Sequence, residues 1–356
     1  MNLFGKHLVC TQEWSVAELE AVLGLAVEMK RNRFSPKYTS LLEHKTFMMF
    51  FYNPSVRTRQ SFEAAATELG GHAQYLEPSS MRLKTSKSAG EINEDAAKVM
   101  SRYGCGLGIR ILEDKVQRYG DGDKFLREYC KYGSIPVISM AHDKFHPCQG
   151  LADVMGARAH MGEIKGKKLL MVWGHGALAR SWCSVQENLL ISSRLGMNVA
   201  LAYPQGYDLD PEVIAQVKQN CRANRANFEI THDPAEGYRD ADIVYSRNWM
   251  SPGAYDPEKG LQKQKEVEKA LQYTEWITDA KKMALSRNAL YTHPMPVDRG
   301  HEVSDEVCSG PRSIIYDVAE NRLHVQKAIM ALTMSRYDYK PAHAGARKRH
   351  AAGAAR

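Results

Sequence analysis

Apolar positions along the chain alternate between two periods. In residues 14–30, Leu19, Val22, Leu23, Leu25, Ala26 and Met29 recur at helical spacing. Ser15 followed by Glu18 has the form of a capping box at the start of that helix. Residues 45–52 (KTFMMFFY) are a short continuous apolar run suited to a buried strand. Asn53-Pro54 breaks the run, and a helix is expected from near Ser55 to Leu69, stopped by Gly70-Gly71. Residues 73–77 predict the next strand, 78–90 a polar mobile loop, 91–103 a helix, and 106–112 and 135–140 two further strands.

The second half repeats this rhythm. Strands are expected at 167–174, 197–204, 228–233, 241–247 and 275–279, with helical patterns between them. The runs 289–296 and 313–318 close the core, and 320–334 predict a long amphipathic helix carrying Leu323, Ala328, Ile329 and Leu332. No internal repeat of fixed period is present. Strands alternating with helices imply an α/β fold with two doubly wound parallel-sheet domains and a boundary near Gly150. In such folds ligands sit beyond the carboxyl ends of the strands.

Composition adjusts this picture in two places. The 356 residues carry a net charge of +7, which raises the prospect of nucleic acid or an anionic substrate. Four of those charges, Arg347, Lys348, Arg349 and Arg356, lie in a tail, 341–356, of Ala, Gly and basic residues that predicts disorder. The remaining +3 is mild, and no zinc-finger spacing or RNA-binding aromatic motif accompanies it, so no nucleic-acid partner is expected. The absence of a long apolar run predicts no membrane span, and the N-terminal residues do not read as a signal peptide. Seven scattered cysteines without a CxxC pair are expected as free thiols in a cytoplasmic protein.

Four segments carry candidate chemistry. Ser55-Val56-Arg57-Thr58-Arg59 lies between a buried strand and a helix, where unpaired N–H groups, two hydroxyls and two guanidiniums form a phosphate cradle without Walker glycines. Read alone, it is equally an N-cap with surface arginines. His146-Pro147-Cys148-Gln149 offers a neutral imidazole and an amide suited to a carbamoyl group, or is simply a loop. His293-Pro294-Met295-Pro296 fixes backbone carbonyls that point at a ligand, or forms a rigid turn. Arg322 stands near the start of the last helix.

Together these segments resemble the aspartate/ornithine carbamoyltransferase family: S-x-R-T-R at 55–59, H-P-x-Q at 146–149 and H-[CP]-[LM]-P at 293–296, in order across residues 1 to about 338. The blocks Asn53-Pro54-Ser55, Gly70-Gly71-His72-Ala73 and Ala319 to Lys327 are similar to the N-acetylornithine and ornithine branch. The resemblance implies a carbamoyl-phosphate domain (1–150 plus 319–340), an amino-acid domain (151–318) joined to it by interdomain helices, and a catalytic homotrimer with shared sites. It implies that Ser55, Val56, Arg57, Thr58, Arg110 and Arg322 bind the phosphate of carbamoyl phosphate, and that His146 and Gln149 hold its carbamoyl group. Arg57, Thr58, Arg110 and His146 are the implied catalytic set. Pro294 and Met295 orient the attacking amine, Arg247, Asn248 and Trp249 meet the acceptor, and Ser80 and Lys84 reach a neighbouring subunit. No cofactor and no metal are required.

The acceptor side departs from the family pattern. Pro294 replaces the Cys usual in ornithine enzymes, their D-x-x-x-S-M-G element is missing, and Tyr245-Ser246-Arg247-Asn248-Trp249-Met250 stands in its place. The expectation is an acceptor close to ornithine: N-acetylornithine, lysine or a shorter diamino acid such as 2,3-diaminopropionate, with Arg247 or Arg299 meeting its carboxylate. Phosphorolysis of a ureido compound is the same chemistry in reverse. A dinucleotide site is disfavoured, because Gly174-His175-Gly176 lacks a third glycine and no acidic residue ends the next strand.

Overall fold

A computed structural model describes residues 1–84 and 89–340. The expected disordered tail, 341–356, and the centre of the polar loop lie outside the described residues.

Ser15 caps α1 (Val16–Arg31) through the expected capping box, its hydroxyl accepting from the Glu18 N–H while the Glu18 carboxylate accepts from the Ser15 N–H. The apolar run forms β1 (Thr46–Phe51), followed by α2 (Val56–Glu68) and β2 (His72–Leu76). Gly70 ends α2 at φ +81°, where a Cβ would stand 2.2 Å from the Thr39 carbonyl oxygen. Next come α3 (Asn93–Tyr103), β3 (Gly106–Ile111), α4 (Asp121–Tyr132) and β4 (Val137–His142). These strands form an all-parallel sheet in the order β2-β1-β3-β4.

Helix α5 (Pro147–Met161) begins where the sequence reads a loop at 146–149, because Pro147 is pre-set for the first helical position. It runs straight through Gly150. The second sheet comprises β5 (Lys168–Trp173), β6 (Asn198–Ala202), β7 (Phe228–Thr231), β8 (Ile243–Arg247) and, beyond a small hairpin β9 (Tyr255–Asp256) and β10 (Gly260–Leu261), β11 (Leu290–Thr292). Its order is β11-β8-β5-β6-β7, again all parallel. Helices α6 (Cys183–Arg194) and α7 (Pro211–Asn224) join its strands, and α8 (Lys263–Ala270), α9 (Ala280–Met283) and α10 (Asp305–Cys308) decorate its edge.

One expected strand and the start of the last helix differ. Residues 275–279 form a 3₁₀ turn over Thr274–Trp276 and one bridge, Thr278 to Val303, because Trp276 is buried by a turn rather than by a ladder. Residues 313–318 hold a bridge from Ser313 to Tyr291 and then enter α11 (Ile315–Met334), five residues before the expected start. Helix α11 packs on α1, α2 and α5 and is buried on nearly every side, with Asn321, Arg322, His324, Gln326 and Lys327 covered along with its apolar residues. Its Lys327 is fully buried and donates to Glu68 Oε2 at 2.9 Å, fastening the last helix to α2. Truncating the buried Ile329 to Ala removes about 2–5 kcal/mol of this packing.

Candidate active site

The functional segments follow the carboxyl ends of their strands. Ser55 to Thr58 follow β1, Arg110 lies near the end of β3, His146 follows β4, Arg180 follows β5, Arg247 ends β8, and Pro294 to Pro296 follow β11. These positions converge on one cavity of about 230 Å³ between the two sheets.

Ser55 caps α2 in an extended conformation and accepts from the Thr58 N–H at 3.3 Å. The preceding N–H groups of the first turn have no intrahelical partner, so the helix turns a partial positive charge towards the cavity mouth. Thr58 is buried, and its hydroxyl accepts from Arg322 Nη2 at 3.2 Å. Arg322 Nη1 donates to Gln149 Oε1 at 3.0 Å, and the Gln149 amide donates to Asp153 Oδ1 at 3.1 Å. Both ends of the Gln149 side chain are thereby engaged, and it is absent from the cavity lining. The structure uses it to hold Arg322.

Arg57, Arg110, Arg180, Arg247 and Arg322 all line the cavity, with the exposed Lys263 beside them and Glu113 as the one carboxyl among the lining residues. Burial and the neighbouring Arg322 and Arg247 lower Arg57 to about 10, and burial first of all lowers Arg322 and Arg180 to about 10. All three remain cationic at neutral pH. Among the described residues, nitrogens of Arg110, Arg180, Arg247 and Arg322 are buried without a hydrogen-bond partner. Unpaired buried guanidinium donors are expensive, so this wall is built for an anion. His146 is pushed well below the usual imidazole range by burial and then by Arg322 and Arg110, and its Nδ1 has no partner. It is a neutral donor or acceptor for a polar, uncharged group.

The turn after β11 is held from behind. The Met295 N–H donates to His293 Nδ1 at 2.8 Å, which places the imidazole proton on Nε2, facing Glu302 Oε2 at 3.1 Å. Met295 itself sits at φ +56°, a strained position for a side-chain-bearing residue. Glu302 is fully buried and also accepts from the N–H groups of Asn248 and Asp298 at 2.7 and 2.8 Å. Burial alone would raise its carboxyl, but His293, Arg180 and Arg247 together hold it well below the usual range. Burial lowers His293 to about 4 in spite of Glu302, so the pair is a neutral imidazole donating to a carboxylate.

Several expected residues lie elsewhere. The Val56 side chain is exposed, leaving only its backbone at the helix start. Arg59 turns away, pairing with Glu63 at 2.9 Å and stacking over Tyr75, since two residues on a helix point to opposite sides. Asn248 is spent on Gly174 and Glu302, and Trp249 donates to the Tyr207 carbonyl in the core; neither lines the cavity. Arg299 binds Asp305 and Ser309 at the surface. Ser80 donates to the Glu77 carbonyl, and the Lys84 N–H donates to the Glu91 carbonyl; both lie outside the cavity of this chain. Arg180, Lys263, Glu113 and Glu302 are not singled out by the sequence. Among the described residues no cluster of three His, Cys, Asp or Glu is placed to hold a metal ion, and no helix is long and apolar enough to cross a membrane.

Residues 6–159 match the aspartate/ornithine carbamoyltransferase carbamoyl-P binding domain, and residues 165–333 match the Asp/Orn binding domain of the same family. The chain is 35% identical to the ornithine carbamoyltransferase of Thermococcus kodakarensis over 94% of its own length and 98% of the relative's. It is likewise 35% identical to the N-acetylornithine carbamoyltransferase of Xanthomonas campestris pv. campestris, over 92% and 97%. Among solved structures, acetylornithine transcarbamylase complexed with acetylcitrulline superposes with a TM-score of 0.84 at 34% identity, covering 92% of this chain and 98% of that one. A mutant N-acetyl-L-ornithine transcarbamylase complexed with carbamyl phosphate and N-succinyl-L-norvaline gives the same TM-score and identity, covering 92% and 99%. The chain belongs to the aspartate/ornithine carbamoyltransferase family, and with it to the transferases that move a carbamoyl group.

Proposed function

We propose that the enzyme transfers the carbamoyl group of carbamoyl phosphate to the primary amine of an ornithine-like amino acid, giving a ureido product and phosphate. The observation that carries this reading is the convergence of Arg57, Arg110 and Arg322 with the α2 N-terminus and the neutral His146 in one cavity. The three guanidiniums, Ser55 and Thr58 meet the phosphate, and His146 meets the carbamoyl group. The unprotonated amine attacks the carbamoyl carbon, a C–N bond forms, the C–O bond to phosphate breaks, and the departing phosphate takes the amine proton. Negative charge gathers first on the carbonyl oxygen and then on phosphate, where fixed cations already stand. Holding both substrates in one cleft removes much of the entropic barrier.

The carbonyls around Pro294 and Met295 orient the amine, supported by the His293–Glu302 pair behind them. Residues up to about 150 together with α11 act as the carbamoyl-phosphate half, and α5 with α11 couples it to the acceptor half. The working form is a homotrimer in which Ser80 and Lys84 reach a neighbouring site, a reading that sedimentation of the full chain tests. The seven unpaired cysteines support a reducing, cytoplasmic setting. The reaction itself is tested by following acceptor-dependent phosphate release from carbamoyl phosphate. Release with at least one ornithine-like amine supports the reading, and its absence with every such amine removes it.

A further inference from the structure

Among the described residues the buried Nδ1 of His146 has no partner, so no hydrogen bond at that atom orients its ring. The imidazole is aimed by the short turn between β4 and α5. That turn closes on itself through the His142 N–H, which donates to the Phe145 carbonyl at 3.0 Å. Asp143 is fully buried and accepts from the N–H groups of Gly122 and Asp123 at 3.4 and 3.2 Å, which fastens the turn to the start of α4. These contacts all lie within the first half of the chain.

Lys144, the next residue, reaches across to the second half. Its Nζ lies 3.0 Å from Asp210 Oδ2, and the two side chains are only 18% and 7% exposed. The Tyr119 hydroxyl donates to the same carboxylate oxygen at 2.8 Å. Gln186 Nε2 donates to the Lys144 carbonyl at 2.9 Å, and the Asp210 N–H donates to Gln186 Oε1 at 3.2 Å. Tyr119 and Lys144 belong to the side of the first sheet, whereas Gln186 lies on α6 and Asp210 caps α7. The four residues therefore close a ring of polar contacts from one half to the other, two residues before His146. Burial alone would raise the Asp210 carboxyl, but the Tyr119 hydroxyl, Lys144 and the Glu212 N–H hold it below the usual range, so it meets Lys144 as a carboxylate. A covered pair with hydrogen-bonded partners on both sides holds its geometry far better than an exposed one. None of the four is among the residues that line the cavity.

Building on the carbamoyl-transfer reading, we propose that Lys144 and Asp210 are positioning residues for His146. The pair holds the turn that bears the imidazole against the second half, so the ring is aimed at the carbamoyl group only while the two halves stand together. Arg57, Arg110 and Arg322 lie on α2, β3 and α11 and keep their places without this contact. The phosphate end of the donor is thus held by the first half and α11, and the carbonyl end is engaged through a contact that spans the cleft. A displacement of about 1 Å in a reacting geometry costs up to about a hundredfold in rate, so a pair that never touches substrate is able to govern the chemical step.

The test uses the full-length enzyme with carbamoyl phosphate and a panel of amines: ornithine, N-acetylornithine, lysine and 2,3-diaminopropionate. Inorganic phosphate, which has no carbonyl for His146 to meet, serves as an inhibitor that reports the arginines alone. Lys144→Met keeps the length of the side chain without its charge, and Asp210→Asn keeps the helix cap. Each is expected to lower kcat about ten- to a hundredfold for the best amine, while the inhibition constant of phosphate stays within about twofold. Lys144→Arg restores most of the rate. The double variant is no slower than the slower single one, because both substitutions break one contact. Rates near wild type in both single variants, losses that multiply in the double variant, or phosphate inhibition that weakens in step with kcat overturn the positioning role while leaving carbamoyl transfer intact. Absence of ureido product from the wild type with every amine overturns the transfer reading and the positioning role with it.

Discussion

Arg322 and Thr58 are 264 residues apart in sequence, yet the guanidinium of one donates to the hydroxyl of the other at 3.2 Å inside the cleft. The contact brings the last helix and the first turn of α2 to the same ligand. Because Arg322 also donates to Gln149, it holds two elements with one planar group. Lysine keeps the charge and cannot bridge both. Arg322→Lys is expected to lower kcat/KM for carbamoyl phosphate about a hundredfold, with little change in thermal stability, as kinetics and a melting curve will show.

Arg57 lines the cavity at the α2 N-terminus, and among the described residues no carboxylate is paired with it. Its removal takes away a cation placed where phosphate charge develops. Arg57→Ala is expected to reduce kcat by about 10²–10³-fold. Arg59→Ala, two residues on and facing Glu63 and Tyr75, is expected to leave the rate within about twofold because its exposed pair contributes little. Parallel assays of the two variants separate the functional arginine from its neighbour.

The contrast between those arginines shows what sequence can and cannot convey. The Ser55–Thr58 cradle was legible because a helix start is contiguous: cap, hydroxyl and guanidinium fall within four residues. Helical geometry already separates Arg57 from Arg59, whereas reading both as phosphate ligands treated spacing as if it were direction. Arg180 and Glu302 were illegible, since each lies in an irregular polar segment that meets the site only after β5 and β11 are laid beside β8. The H-P-x-Q spacing points to Gln149, but its partners on α5 and α11 decide that it positions Arg322. The alternation of strands and helices carried the α/β class. It failed at 275–279, where a buried Trp276 in a tight turn imitates a strand.

Asp153 is buried behind Gln149, also accepts from Asn188 Nδ2 at 2.8 Å, and is raised by burial to about 8. A carboxyl raised above its unfolded value binds more protons folded than unfolded between about pH 4 and 8. Its stabilising proton is therefore fully present below pH 4 and is lost as pH rises through 8. Asp153→Asn removes that titration. The stability difference, variant minus wild type, is expected to grow with pH across this window by up to about 1.4 kcal/mol per unit. Denaturant midpoints measured from pH 5 to 8 give the slope, and a pH-independent difference counts against the protonated, buried state.

Glu302 compensates Arg180 and Arg247 and holds the Asn248 and Asp298 backbones. Glu302→Gln leaves two buried guanidiniums without a nearby negative charge. A loss of about 3–5 kcal/mol is expected in chemical denaturation, together with a higher acceptor KM, since the Pro294–Met295 turn loses its support.

The proposed reaction carries a carbamoyl group from phosphate to an amine in this cleft. Its most direct measurement follows ¹³C-labelled carbamoyl phosphate by NMR in the presence of enzyme and the amine panel. The label is expected to appear in a ureido carbon, one for each phosphate released, in the wild type and far more slowly in Arg57→Ala. Phosphate released without any labelled ureido product, or equal rates in the two proteins, would contradict it.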